Sequence, residues 1–210
     1  MMHRILLGAL TLGLAACSPS DVLETEPQQE PLLQVAESAP EADPGENCLL
    51  LVWSEQEEPD VEFDRTHDAV KGGAISCATG TSPSQFEAAI AALRDAARSG
   101  DKERLLREVG LPLLYIDAEG ERRELQGEEI DALFDEVFDA RMIDLLQKLD
   151  LSQMTVSREE GAYFELGSLW LVVDDAGGRP RLVTINRQAL GEAAEAAREQ
   201  ADKGRGKVLD

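Results

Sequence analysis

Two apolar segments near the C-terminus constrain the fold more than any other feature. Residues 169–173 and 182–185 are apolar or β-branched, and Asp174-Asp175-Ala176-Gly177-Gly178 separates them. Such residues favour strands, and Gly177 and Gly178 can take the positive φ that a tight turn needs. Residues 163–186 therefore predict a β-hairpin. Because residues 169–173 do not alternate with polar residues, the first strand is predicted to lie inside a sheet, with a helix on one face and other contacts opposite.

The N-terminus has the pattern of an export signal. Arg4 precedes an apolar run over residues 5–16 that is too short to cross a bilayer comfortably. Leu14-Ala15-Ala16-Cys17 resembles the lipobox of bacterial lipoproteins, which implies that Cys17 is diacylated and becomes the mature N-terminus. Ser18 after the cysteine implies sorting to the outer membrane. We expect a signal peptide over residues 1–16 and a lipid-anchored, periplasm-facing protein of the cell envelope; the alternative is an ordinary signal with a coincidental cysteine.

An acidic, proline-rich segment follows, over residues 17–46. It has five prolines and eight acidic residues but no Lys or Arg. Low hydrophobicity with charge of one sign cannot offset the entropy of ordering, so we expect a disordered spacer. A partner-binding peptide around Leu32, Leu33 and Val35 is the alternative.

The charge of the whole chain is strongly negative. Lys and Arg number 20 against 42 Asp and Glu, which gives a formal net charge of -22. Such a surface repels phosphate backbones, which argues against nucleic-acid binding. The charge is explained by the solubility of an exported protein, or else by recognition of a basic partner or a cation.

Two cysteines beyond the leader predict a disulfide. Cys48 opens an apolar run over residues 48–53 that reads as a short strand, and Cys77 follows in a second short segment. An even pair in an oxidising compartment most often forms a bond. We expect residues 47–80 to add an edge strand or a stapled flap. His67 lies in a polar stretch and is predicted to be on the surface; no cofactor or metal motif is present, so neither is predicted.

Helices and a hairpin are predicted in the next part of the chain. Ser82, Pro83 and Gln85 form a capping-box start, and the residues that then share one face are Phe86, Ile90, Leu93 and Ala97. A second short helix is predicted through Leu105, Leu106 and Val109, ending at Gly110. Residues 113–116 and 122–125 are predicted strands joined by a turn.

Residues 127–149 predict one long helix. The apolar residues that largely keep a 3.6-residue period are Ile130, Leu133, Phe134, Val137, Phe138, Leu145 and Leu149. Asp135, Glu136 and Asp139 are placed on its solvated side. A strand over residues 154–157, a turn over 159–161 and a polar C-terminal helix over 189–201, with a frayed end, complete the prediction.

This order of helices and strands predicts an α+β fold, with the helices gathered on one face of a sheet. The order, together with Gly167-Ser168-Leu169-Trp170 entering a hairpin that ends in Thr184-Ile185-Asn186, resembles the nuclear transport factor 2-like superfamily. The resemblance covers residues 83–186. It implies a curved antiparallel sheet wrapped on the long helix, which forms a cone with a pocket between helices and sheet. We expect that domain over residues 81–187, with a polar helix and tail over 188–210. Superfamily members often dimerise through the outer sheet face, so a homodimer is one implied arrangement.

The resemblance leaves the function open, because members include both enzymes and binding modules. Enzymes similar to ketosteroid isomerase place an Asp base and a Tyr or acid on strands facing the pocket; the polar strand candidates here are Tyr115, Asp117, Tyr163 and Glu165. We expect a non-enzymatic domain that binds a protein or a small hydrophobic envelope ligand. The alternatives are an isomerase or dehydratase, and an acidic interaction protein for a basic partner.

Overall fold

A six-stranded mixed sheet with helices packed on one face is the centre of the fold. The computed structural model describes residues 44–158, 161–173 and 178–205, all within one compact unit. The predicted signal peptide, Cys17 and most of the predicted linker lie outside the described residues. The last three linker residues, 44–46, instead belong to the first helix. Within the described ranges no helix is both long enough and apolar enough to span a membrane.

The elements are numbered in chain order. The helices are α1 (Pro44–Ser54), α2 (Val61–His67), α3 (Ile75–Thr79), α4 (Pro83–Ser99), α5 (Lys102–Leu106), α6 (Gly127–Ala132), α7 (Phe134–Val137), α8 (Ala140–Gln147) and α9 (Arg187–Arg205). The strands are β1 (Ala69–Val70), β2 (Gly73–Ala74), β3 (Val109–Ile116), β4 (Arg122–Leu125), β5 (Thr155–Ser157), β6 (Gly161–Phe164), β7 (Leu169–Val172) and β8 (Arg181–Asn186). Two 3-10 turns cover Leu151–Gln153 and Glu165–Gly167.

The hairpin predicted over residues 163–186 is confirmed only in its later part, where β7 and β8 pair antiparallel with Leu169 opposite Ile185. Residues 163–164 belong to β6 instead, and a 3-10 turn separates them from β7. The order of the sheet is β4-β3-β8-β7-β6-β5, so β7 lies inside it as predicted. Burial alternates along β7, however: Leu169 and Leu171 are buried, whereas Trp170 and Val172 are half-buried. Helices therefore cover one face of this strand, and its other face is partly open. Of the turn predicted over residues 174–178, residues 174–177 lie outside the described residues.

The prediction of a purely antiparallel sheet was wrong. β3 pairs in parallel with β8, with Leu114 opposite Thr184 and Tyr115 opposite Ile185. A parallel pair needs a long crossover connection, and here the chain from β4 to β7 supplies it. Local sequence patterns predict hairpins well, but they do not set the direction of two strands that far apart. The observed class is α+β with a mixed sheet.

The run over residues 48–53 forms helix α1, so the predicted strand was wrong. A short apolar run cannot be assigned to strand or helix by periodicity alone. The burial shows a helical face, since Leu49 and Val52 are buried whereas Leu50 and Leu51 are 57% and 70% exposed. The Cys48–Cys77 disulfide joins α1 to α3, with a Cα–Cα distance of 5.1 Å.

The predicted edge strand in this region is replaced by a separate two-stranded ladder of β1 and β2. The ladder touches the edge of the main sheet at Lys71, whose carbonyl oxygen accepts a hydrogen bond from the Val156 N–H at 2.8 Å. Ile75 of α3 belongs to the same core as the sheet. The stapled part of the prediction is confirmed, and the region shares the core of the rest of the unit.

Helix α4 begins as predicted. Ser82 accepts a hydrogen bond from the Gln85 N–H, the reciprocal bond is present, and Pro83 occupies the first turn. The next prediction was wrong, because α5 ends at Leu106 and Val109 begins β3. Gly110 does not end a helix: a Cβ added there would lie 2.8 Å from Val183 Cγ1, so the glycine permits the close approach of β3 to β8.

The single helix predicted over residues 127–149 is divided into α6, α7 and α8. The backbone leaves helical geometry at Leu133 (φ -100, ψ 14) and at Phe138 (φ -110, ψ 52). Asp139 then caps α8 by accepting a hydrogen bond from the Met142 N–H. The predicted apolar positions mostly reach the core, with Ile130, Val137 and Phe138 buried. Asp139, predicted to be solvated, is half-buried in an ion pair.

The last predicted elements are present with changed ends. β5 covers the predicted strand, and the predicted turn before β6 falls mainly on residues 159–160, outside the described residues. Helix α9 runs further than predicted, to Arg205. Its apolar side docks through Leu190, which is buried.

Candidate functional site

The four candidates predicted from the sequence do not converge on one site. Tyr115 is buried on the helix-covered face of β3. Tyr163 is half-buried on the opposite face, where its ring packs against that of Trp170 at 4.6 Å between centroids, with the two planes tilted by 35°. Asp117 closes the β3–β4 turn by accepting backbone hydrogen bonds within it. Glu165 is exposed in a 3-10 turn. The requirement for an isomerase-like pair among these four is therefore not met by their positions.

Tyr115 instead belongs to a polar cluster that we call the Tyr115 cluster: Tyr115, Arg123, Glu136, Asp139 and Arg187. It lies where β3 and β4 meet the α7–α8 junction and the start of α9. Arg123 Nη2 lies 2.5 Å from Glu136 Oε1, and Arg187 Nη2 lies 2.6 Å from Asp139 Oδ2. Arg187 also donates to the Glu136 carbonyl oxygen at 2.7 Å. Each carboxylate of the cluster therefore has a guanidinium partner.

Electrostatics keep the Tyr115 phenol protonated. Burial raises the pKa of Tyr115, and the charge of Glu136 adds to this effect, while the charges of Arg187 and Arg123 and a hydrogen bond to Arg187 oppose it. The pKa of Arg123 is also raised, mainly by its hydrogen bond to Glu136. Arg123 lies over the Tyr115 ring at 5.1 Å. The cluster can donate hydrogen bonds, and both of its carboxylates are engaged in ion pairs.

Two buried carboxylates hold the N-terminal helices together. Asp64 is fully buried and accepts hydrogen bonds from Trp53 Nε1 and from the Ser84 N–H, both at 2.7 Å. Asp68 accepts from the backbone N–H and the hydroxyl of Ser76 at 2.8 and 2.7 Å. These hydrogen bonds pair both oxygens of each carboxylate, so Asp64 and Asp68 connect neighbouring elements and have a structural rather than a reactive role. His67 is exposed, as predicted, and is the last residue of α2.

A groove on the uncovered face of the sheet has the features of a binding site. This outer groove has a volume of about 380 Å³ and is lined by Val109, Gly110, Leu111, Val172, Arg181 and Val183. Its walls are apolar, and Arg181 contributes a guanidinium. Ligand sites commonly combine apolar walls with a few placed polar groups.

Two further concavities are described. One of about 200 Å³ lies between α4, α5, α7 and α8 and is lined mainly by Ala96, Ala97, Leu105, Phe134 and Ile143. The other, of about 270 Å³, lies beside the disulfide. The helix-lined cavity is smaller, and the opening beside the disulfide has no cationic side chain in its lining, so the outer groove is the strongest candidate.

Comparison of the chain with protein-family models, with curated proteins and with solved structures found no match. Function must therefore be argued from the geometry of the described residues. Among these residues no group of three or more His, Cys, Asp or Glu side chains lies close enough to hold a metal ion.

The sequence does not predict most residues of the Tyr115 cluster or of the outer groove. Glu136 is exposed, as its predicted place on the solvated side requires, whereas Asp139 is half-buried. No sequence pattern singles out Arg123 or Arg187. Glu136 and Arg187 are far apart in the chain and meet only after folding. No local pattern predicts such contacts. For Arg181 a signal did exist, since in this acidic protein a cation directly precedes the β-favouring run over residues 182–185.

Proposed function

We propose that this protein is a lipid-anchored domain of the outer membrane, facing the periplasm, that binds a small hydrophobic ligand or a protein without catalysing a reaction. The lipobox-like Leu14-Ala15-Ala16-Cys17 supports the anchor. The Cys48–Cys77 bond supports export, because disulfides persist mainly in oxidising compartments.

We further infer a nuclear transport factor 2-like fold over residues 81–187. The order of elements supports it, with helices before a hairpin and further helices before a four-strand meander. Register shifts in β3 and β7 support a bent sheet, because bulges bend strands.

The ion pairs of the Tyr115 cluster favour a binding function over a catalytic one. Both carboxylates near the buried Tyr115 are held in ion pairs of 2.5 and 2.6 Å. The outer groove, in contrast, offers exposed apolar surface at Leu111, which is 58% exposed. An acid or base in an isomerase must exchange protons during the reaction, whereas a binding groove needs only shape and surface. The structure thus supports a site on the open sheet face.

The anchor is tested with the full-length chain expressed in a Gram-negative host. We expect the wild-type chain to incorporate labelled palmitate and to sediment with the outer membrane, and the Cys17→Ala variant to do neither. Equal labelling and equal sedimentation of both chains would contradict lipidation at Cys17.

The binding function is tested by thermal unfolding of the protein in the presence of fractions of an envelope extract. A ligand that binds only the folded state raises Tm by mass action. We expect at least one fraction to raise the Tm of the wild type but not that of Leu111→Asp. Leu50→Asp is a matched control, because Leu50 is 57% exposed and lies on α1, away from the groove. If no fraction shifts the wild type, or if both variants respond equally, the proposal fails.

A second candidate function is recognition of a basic envelope protein by the acidic surface, which the net charge of -22 favours. Attraction between exposed charges is screened over about 10 Å at 0.1 M salt. We expect a partner of this kind to be captured at low ionic strength and released as salt is raised, whereas capture through the apolar groove persists. Salt-resistant capture would argue against the acidic surface.

A further inference from the structure

The outer groove carries one cation whose charge is not balanced by a described carboxylate. Arg181 Nη1 donates to the Arg107 carbonyl oxygen at 2.8 Å, which holds the guanidinium in place. Neighbouring Arg179, in contrast, is paired with Glu108. Among the described residues Arg181 has no ion-pair partner, and its Nε and Nη2 atoms have no hydrogen-bond acceptor. That edge of the guanidinium offers two parallel N–H groups, the arrangement that matches a carboxylate.

The rest of the groove is apolar. Val109, Leu111, Val172 and Val183 line it beside Arg181, and Gly110 lets β3 and β8 approach closely along its floor. Its volume of about 380 Å³ lies near the lower end of the range of roughly 300–1,000 Å³ that is common for small-molecule sites. A slender apolar chain can therefore follow the valine and leucine side chains while one end reaches the guanidinium.

The charge of the protein restricts the ligand further. With a formal net charge of -22, the surface repels anions that carry several charges. A cationic ligand finds no hydrogen-bond acceptor on the Arg181 guanidinium. A neutral alkyl chain leaves the Nε and Nη2 donors of Arg181 unpaired. A ligand with one negative charge on an apolar chain can pair with Arg181 and also pack on the apolar walls of the groove.

Building on the proposed ligand-binding function, we propose that the outer groove binds a monocarboxylate with an unbranched alkyl chain. The carboxylate pairs with the Nε–Nη2 edge of Arg181, and the chain packs on Leu111 and the three valines. The ligand class is thus a fatty acid or a related amphipathic monoanion.

The proposal is tested by calorimetric titration of the purified protein with hexanoate, octanoate, decanoate and decanol, with the carboxylates below their critical micelle concentrations and decanol below its solubility limit. Each methylene buried in the groove should tighten binding about three- to fourfold until the groove is full. Decanoate should bind more tightly than decanol by about fivefold, which is the upper range for an exposed ion pair. Equal binding of decanoate and decanol by the wild type would overturn the assignment to Arg181.

Variants locate the site. Arg181→Gln should remove the preference for decanoate over decanol but keep the dependence on chain length. Leu111→Asp should weaken decanoate at least tenfold, since it adds an anion to the wall, while Leu50→Asp should bind like the wild type. Leu111→Ala, with a milder loss of severalfold, keeps the test decisive if the aspartate variant unfolds. Unchanged decanoate affinity in both Leu111 variants would place the ligand elsewhere and overturn the proposal.

The two proposals fail in different ways. If an envelope fraction stabilises the wild type but not Leu111→Asp, and decanoate does not bind, then the groove is a binding site and the ligand class is wrong. If neither the fractions nor decanoate binds, both proposals are refuted.

Discussion

Replacing the buried carboxylate of Asp64 by an amide should destabilise the fold substantially. Asp64 is fully buried, and each of its oxygens accepts one hydrogen bond at 2.7 Å, from Trp53 Nε1 and from the Ser84 N–H. In Asp64→Asn only one acceptor oxygen remains, so the amide NH₂ must face one of the two donors. A hydrogen bond to a charged group contributes about 1.5–3 kcal/mol, and an unsatisfied buried donor costs about 1–3 kcal/mol.

The loss is partly offset because a neutral amide costs less to bury than a carboxylate. We expect the free energy of unfolding to fall by about 2–4 kcal/mol. Urea denaturation followed by circular dichroism measures this change, with an unchanged m-value showing that the same surface is exposed on unfolding. Asp60→Asn is the matched control: Asp60 caps the same helix, α2, by accepting from the Phe63 N–H, and asparagine caps as well as aspartate.

A double-mutant cycle tests the hydrogen bond between Trp53 and Asp64. In Trp53→Phe the indole N–H is absent, so the amide of Asp64→Asn can face the empty side without conflict. We expect Asp64→Asn to cost about 1 kcal/mol less in that background than in the wild type. Additive effects of the two substitutions, or a loss below about 0.5 kcal/mol for Asp64→Asn alone, would refute the reasoning.

Three further predictions concern the disulfide, the buried tyrosine and one glycine. Replacing Cys48 and Cys77 by serine opens a loop of 29 residues, so the free energy of unfolding should fall by about 3.6 kcal/mol in the chain-entropy model. A Tm equal to that of the oxidised protein would contradict this prediction. Burial raises the pKa of Tyr115, so as pH rises the phenol ionises in the unfolded chain before it ionises in the folded one. The contribution of the protonated phenol to stability is therefore complete below about pH 10 and is lost as pH rises through the folded pKa. Arg187→Gln removes a nearby positive charge and should raise that pKa further in an NMR titration; a lower pKa would contradict this. Gly72→Ala should destabilise the protein because the added Cβ would lie 2.0 Å from a backbone oxygen of β5 at a residue with φ +96; an unchanged unfolding midpoint would contradict the contact.

The Tyr115 cluster has a structural role that the location of its residues explains. Asp139 uses one carboxylate oxygen to cap α8 and the other to hold Arg187 at the start of α9. Arg141 adds a hydrogen bond to the Leu190 carbonyl oxygen. Over residues 187–200 of the C-terminal helix, whose side chains the structure describes, Leu190 is the buried one. Hydrogen bonds from Arg187 and Arg141 therefore contribute to the attachment of this helix.

What the sequence determined by itself is local. The start of α4 follows from Ser82, Pro83 and Gln85, because the cap and the residues it satisfies are within one helical turn. The β7–β8 hairpin follows from two β-favouring runs around a glycine-containing turn. The cysteine pair was likewise predicted from the even count of two cysteines beyond the predicted leader.

The tertiary structure decided everything that depends on residues distant in the chain. Residues 48–53 form a helix because Leu49 and Val52 pack together against the unit, which a short apolar run does not reveal. The parallel pairing of β3 with β8 and the breaks at Leu133 and Phe138 depend on how the whole sheet and its helices fit together. The outer groove is likewise a product of packing, since β3, β7 and β8 bring Leu111, Val172 and Arg181 to one place from separate parts of the chain.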